Sequence, residues 1–226
     1  RSTLFPYTTL FRSLFISGVV RAYDGRGSEV WTGHAEGEVL QLTTARLAAS
    51  GPKAIVGVVQ RGGESGVAAF DARSGATLWE HMIGVGRPTL AAADVDGDGL
   101  DEIAYSSKGF PPETPGTFAL LSASGDVRWK KEDLEIRDWL TVAGGNLVYG
   151  VRTGGGSVAA VSAADGAPRW HTSLGSEAGY GVLVPERSGV AVSTEAGEVA
   201  LLDTATGRVA RSEEHTSELQ SPIHIS

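Results

Sequence analysis

Short apolar runs recur along the whole chain, each closed by a turn rich in Gly, Asp, Ser or Asn. Val158-Ala159-Ala160-Val161 and Val199-Ala200-Leu201-Leu202 are continuously apolar, as expected of strands buried on both faces. None of these segments shows the i, i+3, i+4 apolar spacing of an amphipathic helix. The pattern therefore predicts strands and turns throughout. It places strands at 139–142, 147–151, 158–162 and 169–172, then at 180–184, 190–193, 199–203 and from Arg208 onward. Gly144-Gly145-Asn146, Gly154-Gly155-Gly156, Asp165-Gly166 and Glu195-Ala196-Gly197 supply the reversals.

The strands belong to one repeated phrase: Gly, an alternating strand, a Gly-containing turn and a second strand that reaches Trp. Its copies begin at Gly18, Gly66, Gly116, Gly156 and Gly197, and the first four end on Trp31, Trp79, Trp129 and Trp170. Trp-to-Trp spacings of 48, 50 and 41 residues with strand-only patterning predict blades of four antiparallel strands. The expected fold is all-β: a β-propeller fragment of about four and a half blades, with a half blade at 14–31 and four blades from Val39, forming an incomplete ring. In each blade the Trp is expected to pack against the neighbouring blade while its indole N–H meets a carbonyl. Counting as in the fourth copy, the fifth Trp position falls on Arg211.

Ala69-Phe70-Asp71-Ala72-Arg73-Ser74-Gly75-Ala76-Thr77-Leu78-Trp79 resembles the A-x-D-x-x-T-G-x-x-x-W phrase of quinoprotein-type, PQQ-like propellers. Asp203, Thr206 and Gly207 match the centre of that phrase, while Ser122 and Ser162 replace its Asp. The resemblance implies the fold. It also makes PQQ a cofactor to consider, although no adjacent Cys pair and no cofactor-binding set of Glu, Asn and Asp can be assigned.

Both ends read differently. Residues 1–13 (RSTLFPYTTLFRS) and 211–226 (RSEEHTSELQSPIHIS) resemble translated high-throughput sequencing adapters. They are set aside as non-native tails, leaving 14–210 as the propeller fragment.

Composition narrows the function classes. The formal net charge of −8 argues against a nucleic-acid partner, which needs clustered Lys and Arg. Cysteine is absent, which excludes disulfides, thiolate metal sites and cysteine nucleophiles. No apolar stretch approaches the roughly 18–20 residues of a transmembrane span.

One loop has ligand spacing: Asp94-Val95-Asp96-Gly97-Asp98-Gly99-Leu100-Asp101-Glu102. Alternating Asp carboxylates offer hard oxygen donors suited to Ca²⁺. Strand-like segments at 89–93 and 103–106 flank it, where an EF-hand would have helices. The loop resembles the D-x-D-x-D-G-x-x-D calcium loop of integrin-type FG-GAP repeats. That resemblance assigns side-chain ligands to Asp94, Asp96, Asp98 and Asp101, with the Leu100 carbonyl as a further donor. A solvated acidic turn is the alternative reading. The preceding blade places Arg46, Ala48, Ser50 and Lys53 at the equivalent positions, so a single ion is expected.

No nucleophile elbow, phosphate loop or H-E-x-x-H motif is present. His34, His81 and His171 follow blade Trp residues and read as solvent-facing positions, and the 110–115 stretch reads as a rigid surface loop. Catalytic residues are not assigned. Three readings stand: a non-catalytic scaffold or binding module with one calcium loop, a fragment of a quinone-dependent dehydrogenase, and a calcium-dependent adhesion or glycan-binding module. The partner is a protein or a glycan, and the expected location is periplasmic, cell-surface or secreted.

Overall fold

The computed structural model describes residues 12–13, 18–108, 115–134, 136–151 and 156–214. These residues are almost entirely strand and turn; one short 3₁₀ turn, Pro185–Arg187, stands apart. The first sheet holds β1 (Arg12–Ser13), β2 (Val19–Tyr23) and β3 (Glu29–His34). The second holds β4 (Glu38–Ala45), β5 (Ala54–Arg61), β6 (Glu64–Phe70) and β7 (Thr77–Val85). The third holds β8 (Arg87–Ala93), β9 (Glu102–Lys108), β10 (Gly116–Leu121) and β11 (Val127–Leu134). The fourth is β12 (Ile136–Ala143), β13 (Asn146–Val151), β14 (Ser157–Ser162) and β15 (Pro168–Ser173). The fifth is β16 (Ala178–Val184), β17 (Gly189–Thr194), β18 (Glu198–Asp203) and β19 (Val209–Glu214).

Every sheet is an antiparallel meander in chain order, as short turns between consecutive strands dictate. The sheets succeed one another as blades of a propeller arc that does not close into a ring. Strands β4, β8, β12 and β16 lie side by side across successive sheets and so form the inner edge. Here the Gln41 amide imitates a strand: its Nε2 donates to Leu90 O (3.2 Å) and its Oε1 accepts from Leu90 N (3.1 Å).

A separate core fills each gap between neighbouring sheets. Val20, Ala22 and Trp31 meet Ile55, Ala68 and Phe70 in the first gap. Val67 and Ala69 meet Ile103 and Tyr105 in the second. Phe118 and Leu120 meet Leu147 and Val161 in the third, and Val158 and Ala160 meet Val190 and Leu202 in the fourth. Alternate residues of one strand thus serve two cores. Ala119 and Leu121 face the second sheet, while Phe118 and Leu120 face the fourth. This explains why 118–121 of β10 and 158–161 of β14 are apolar without interruption and why both strands are buried throughout.

Two strands reach into the terminal segments. β1 falls within residues 1–13, and β19 continues the ladder past Ala210 to Glu214. Arg211 pairs with Leu201 immediately before a bulge. The same register, bulge included, pairs Trp31 with Ala22, Trp79 with Ala69, Trp129 with Leu120 and Trp170 with Ala160. The repeat count that places Arg211 at a Trp position therefore agrees with the backbone.

Candidate metal centre and the junctions between sheets

The turn between the third and fourth strands of each blade is organised by its first side chain. Asp71 Oδ1 accepts hydrogen bonds from the amides of Arg73 (3.0 Å) and Ser74 (2.8 Å) and from Ser74 Oγ (2.8 Å). Asp203 Oδ1 accepts from the Thr206 amide (2.8 Å) and Thr206 Oγ1 (2.6 Å). These bonds, the hydroxyl's foremost, hold both carboxyls below the usual aspartate range.

The indole of each of the first four sheets reaches the next sheet's turn. Nε1 of Trp31 donates to Ala72 O (2.9 Å), of Trp79 to Ala123 O (3.1 Å), of Trp129 to Ala163 O (2.8 Å) and of Trp170 to Thr204 O (3.1 Å). In every case the acceptor is the residue after the turn's Asp or Ser. The ring then covers the turn glycine. A Cβ on Gly75 would lie 2.5 Å from Trp31, on Gly125 2.6 Å from Trp79, on Gly166 3.2 Å from Trp129 and on Gly207 2.5 Å from Trp170. Glycine here satisfies two demands, a positive φ and a flat seat for an aromatic ring. Only the first is readable from a single repeat.

Trp139 lies outside the phrase, on β12. It is buried, its ring covers Gly181 of β16, and its Nε1 has no hydrogen-bond partner. It fills the inner part of the same gap that Trp170 closes further out.

The acidic loop joins β8 to β9. Asp94 Oδ1 accepts from Gly97 N (2.6 Å) and its Oδ2 from Gly99 N (2.9 Å). Asp98 Oδ1 accepts from Leu100 N (2.7 Å). Gly97 and Gly99 have φ of +82° and +87°, so these reversals rely on glycine. Asp94, Asp96 and Glu102 each turn one carboxylate oxygen to within 4.8 Å of the others.

Sequence spacing alone misses Glu102. It opens β9 with only 3% of its surface exposed, a position that reads as part of a buried strand. Val95 N donates to its Oε2 (3.0 Å), and Arg128 Nη1 from β11 lies 3.0 Å from its Oε1. Arg128 also donates to Asp96 Oδ2 (2.8 Å). Burial pushes the Glu102 carboxyl above its usual range, with the neighbouring Asp96 and Asp98 adding to the effect. The Arg128 hydrogen bond lowers Asp96, and in return Asp96 raises Arg128.

Of the predicted donors, then, Asp94 and Asp96 converge, joined by Glu102. Asp98 is occupied with its own turn and Leu100 supplies an amide there. Asp101 faces the preceding blade, where Arg46 N donates to its Oδ2 (2.6 Å) and Lys53 Nζ lies 3.7 Å away. The carboxylates of this loop are engaged by backbone amides, Arg128 and Lys53.

Calcium holds oxygen ligands at about 2.3–2.6 Å, so two ligand atoms of one ion lie within about 5.2 Å of each other. The spacing of Asp94, Asp96 and Glu102 fits that limit, and three carboxylates are the donor chemistry a hard divalent cation takes. Among the described residues this is the one such cluster. His34 and His171 are exposed and His81 is half-buried; none belongs to the cluster. Most of the 110–115 loop lies outside the described residues.

The family model described as "Outer membrane protein assembly factor BamB" matches residues 115–224. No curated protein matches the chain. The chain is similar in structure to a Bacteroides caccae protein of unknown function, with a TM-score of 0.59 and 14% identity over 93% of this chain and 74% of that one. It is also similar to the Dos1 propeller, with a TM-score of 0.65 and 14% identity over 92% of this chain and 56% of that one. A quinohemoprotein alcohol dehydrogenase from Pseudomonas putida HK5 matches with a TM-score of 0.54 and 15% identity over 93% of this chain, which spans 41% of the enzyme. The chain is thus a β-propeller arc whose residues 115–224 match that family model.

Proposed function

We propose that this arc is a non-catalytic, extracytoplasmic propeller scaffold or binding module whose β8–β9 loop is held by one calcium ion. The match of residues 115–224 to a family described as an outer membrane protein assembly factor carries the reading. It favours an envelope-associated role with a protein partner. The repeated Trp and turn Gly residues fit this reading, because they join one sheet to the next, while the Asp residues brace the turns that receive the rings. Propeller loops held on such a frame are suited to recognition.

For the ion, the supporting observation is the approach of Asp94, Asp96 and Glu102. The Leu100 carbonyl, Asp98 and Asp101 would complete the shell after local rotation. Titration calorimetry with Ca²⁺ tests this: a single saturable site lost in the Asp94→Asn/Asp96→Asn variant supports it, and heat indistinguishable from buffer overturns it. Capture of a periplasmic or surface protein by the complete polypeptide, with retention lost on altering one loop face, tests the scaffold role.

Fold likeness to a quinohemoprotein dehydrogenase supports a second reading, a piece of a quinone-dependent dehydrogenase. Adding PQQ, Ca²⁺ and a dye acceptor to the complete protein with primary alcohols separates the two. Dye reduction favours the enzyme. The calcium-dependent adhesion module is distinguished by glycan binding that a chelator abolishes.

A further inference from the structure

An aspartate followed by glycine is open to a spontaneous rearrangement of the main chain, because glycine has no Cβ to obstruct attack of its nitrogen on the preceding carboxyl. The chain has four such steps: Asp24-Gly25, Asp96-Gly97, Asp98-Gly99 and Asp165-Gly166. In all four the carboxyl is folded over the peptide that would react. Asp24 Oδ1 accepts from Arg26 N (2.8 Å), Asp96 Oδ1 from Asp98 N (3.3 Å), Asp98 Oδ1 from Leu100 N (2.7 Å) and Asp165 Oδ1 from Ala167 N (3.0 Å).

The steps differ in what holds the attacking nitrogen. Gly166 N donates to Ser162 O (2.8 Å), and Gly166 is buried beneath the Trp129 ring. Gly97 and Gly99 are exposed, with nothing within 4 Å of where a Cβ would be, so both loop steps are sterically open. Their nitrogens are nevertheless engaged, and by one side chain. Gly97 N donates to Asp94 Oδ1 (2.6 Å) and Gly99 N to Asp94 Oδ2 (2.9 Å). The Gly25 amide donates to no acceptor among the described residues.

We infer that Asp96 and Asp98 are latent sites of isoaspartate formation, and that Asp94 keeps both closed by fixing the two peptide planes. In the reaction the glycine nitrogen bonds to Cγ of the preceding protonated carboxyl. The amide proton and the carboxyl hydroxyl leave as water, giving a five-membered imide, to which a water molecule then adds. Cleavage of the N–Cγ bond restores aspartate; cleavage of the bond to the main-chain carbonyl leaves the chain running through Cβ and Cγ. One water is released and one consumed, with no oxidant or reductant. Ring closure turns the peptide plane until its nitrogen meets Cγ, and a plane held by Asp94 must first break that bond. The product at Asp96 loses the side chain that meets Arg128 at 2.8 Å and lengthens the loop by one methylene. It is the class of substrate taken by S-adenosylmethionine-dependent isoaspartate methyltransferases. This inference is independent of the calcium reading.

Incubation over weeks in mildly acidic buffer with chelator, followed by electron-transfer fragmentation of peptides, reads isoaspartate at each step. In the unaltered chain Asp96 and Asp98 should convert about tenfold or more slowly than Asp24, since a charge-assisted hydrogen bond must break first. Asp94→Ala should raise both to the Asp24 rate. Asp94→Asn keeps one acceptor oxygen and should release one step more than the other. Conversion at Asp165 stays at its unaltered level when only the loop is released; should it rise as well, the unaltered chain in urea decides, where Asp96 and Asp98 are expected to catch up with Asp24. Equal conversion at Asp24, Asp96 and Asp98 in the native unaltered chain overturns the inference. So does an Asp94→Ala variant whose loop steps are unchanged or slower, the latter being the behaviour of a base that assists attack.

Discussion

Asp101 and Arg46 clasp each other across the second and third sheets. The Asp101 amide donates to Arg46 O (2.7 Å), while the Arg46 amide donates to Asp101 Oδ2 (2.6 Å). A residue that sequence spacing assigns to a metal shell thus joins two blades. Asp101→Ala is expected to lower stability by about 1 kcal/mol, because the hydrogen bond from the exposed Arg46 amide is lost. Asp101→Asn keeps an acceptor oxygen and should cost less. Urea denaturation followed by far-ultraviolet circular dichroism checks the ordering.

The junction bond and the junction surface can be separated at Trp79. Trp79→Phe removes the N–H donated to Ala123 but retains most of the ring, so a loss of about 1 kcal/mol is expected. Trp79→Ala removes the packing too and should cost roughly 3 kcal/mol. Gly125→Ala is expected to be at least as harmful as the Phe variant, since the added Cβ would approach the Trp79 ring to 2.6 Å at a φ of +86°. Equal melting temperatures for Gly125→Ala and the unaltered chain would contradict the seat geometry.

Arg128 competes for the carboxylates that a divalent cation would use. Arg128→Gln should raise calcium affinity several-fold, since Asp96 and Glu102 lose a neutralising partner. Without calcium the same variant is expected to melt lower, because Glu102 would then be buried beside Asp96 with its charge uncompensated. Calorimetry with and without chelator reads both effects, and weaker calcium binding would count against a shared site.

Acidity should act on the loop through Glu102. Its raised folded pKa means that stability tied to its protonated form is full below the ordinary glutamate value of 4.5 and fades as pH rises through the elevated folded value. A bound cation favours the ionised form, so calcium affinity should fall as pH drops through that same window. Asp71 and Asp203 have the opposite sign. Their lowered values contribute stability present above the ordinary 3.8 and lost as pH falls through the depressed range. Calorimetric titrations across this range, together with thermal melts of Asp71→Asn, distinguish the two.

Much of this architecture is legible in the chain because it is written repeatedly. The phrase from Gly66 to Trp79 identifies a strand, a turn and a strand, and its recurrence gives the blade. The Trp position at Arg211 follows from counting the repeats, and its pairing opposite Leu201 is supplied by the backbone. The metal cluster is less legible. The spacing of Asp94 and Asp96 reports a loop, but Glu102 is concealed as a strand residue and Arg128 arrives from β11, with no sequence pattern linking it to the loop. The second role of the turn glycines is concealed similarly, because the ring that requires their bareness belongs to another sheet.

The junctions are chemically alike and each gap has its own core, so nearest-neighbour terms dominate the cohesion of the arc. Pulled from its two ends, such a molecule should peel blade by blade. Each rupture would release a similar length of chain, giving a sawtooth of nearly even steps in place of one collective yield.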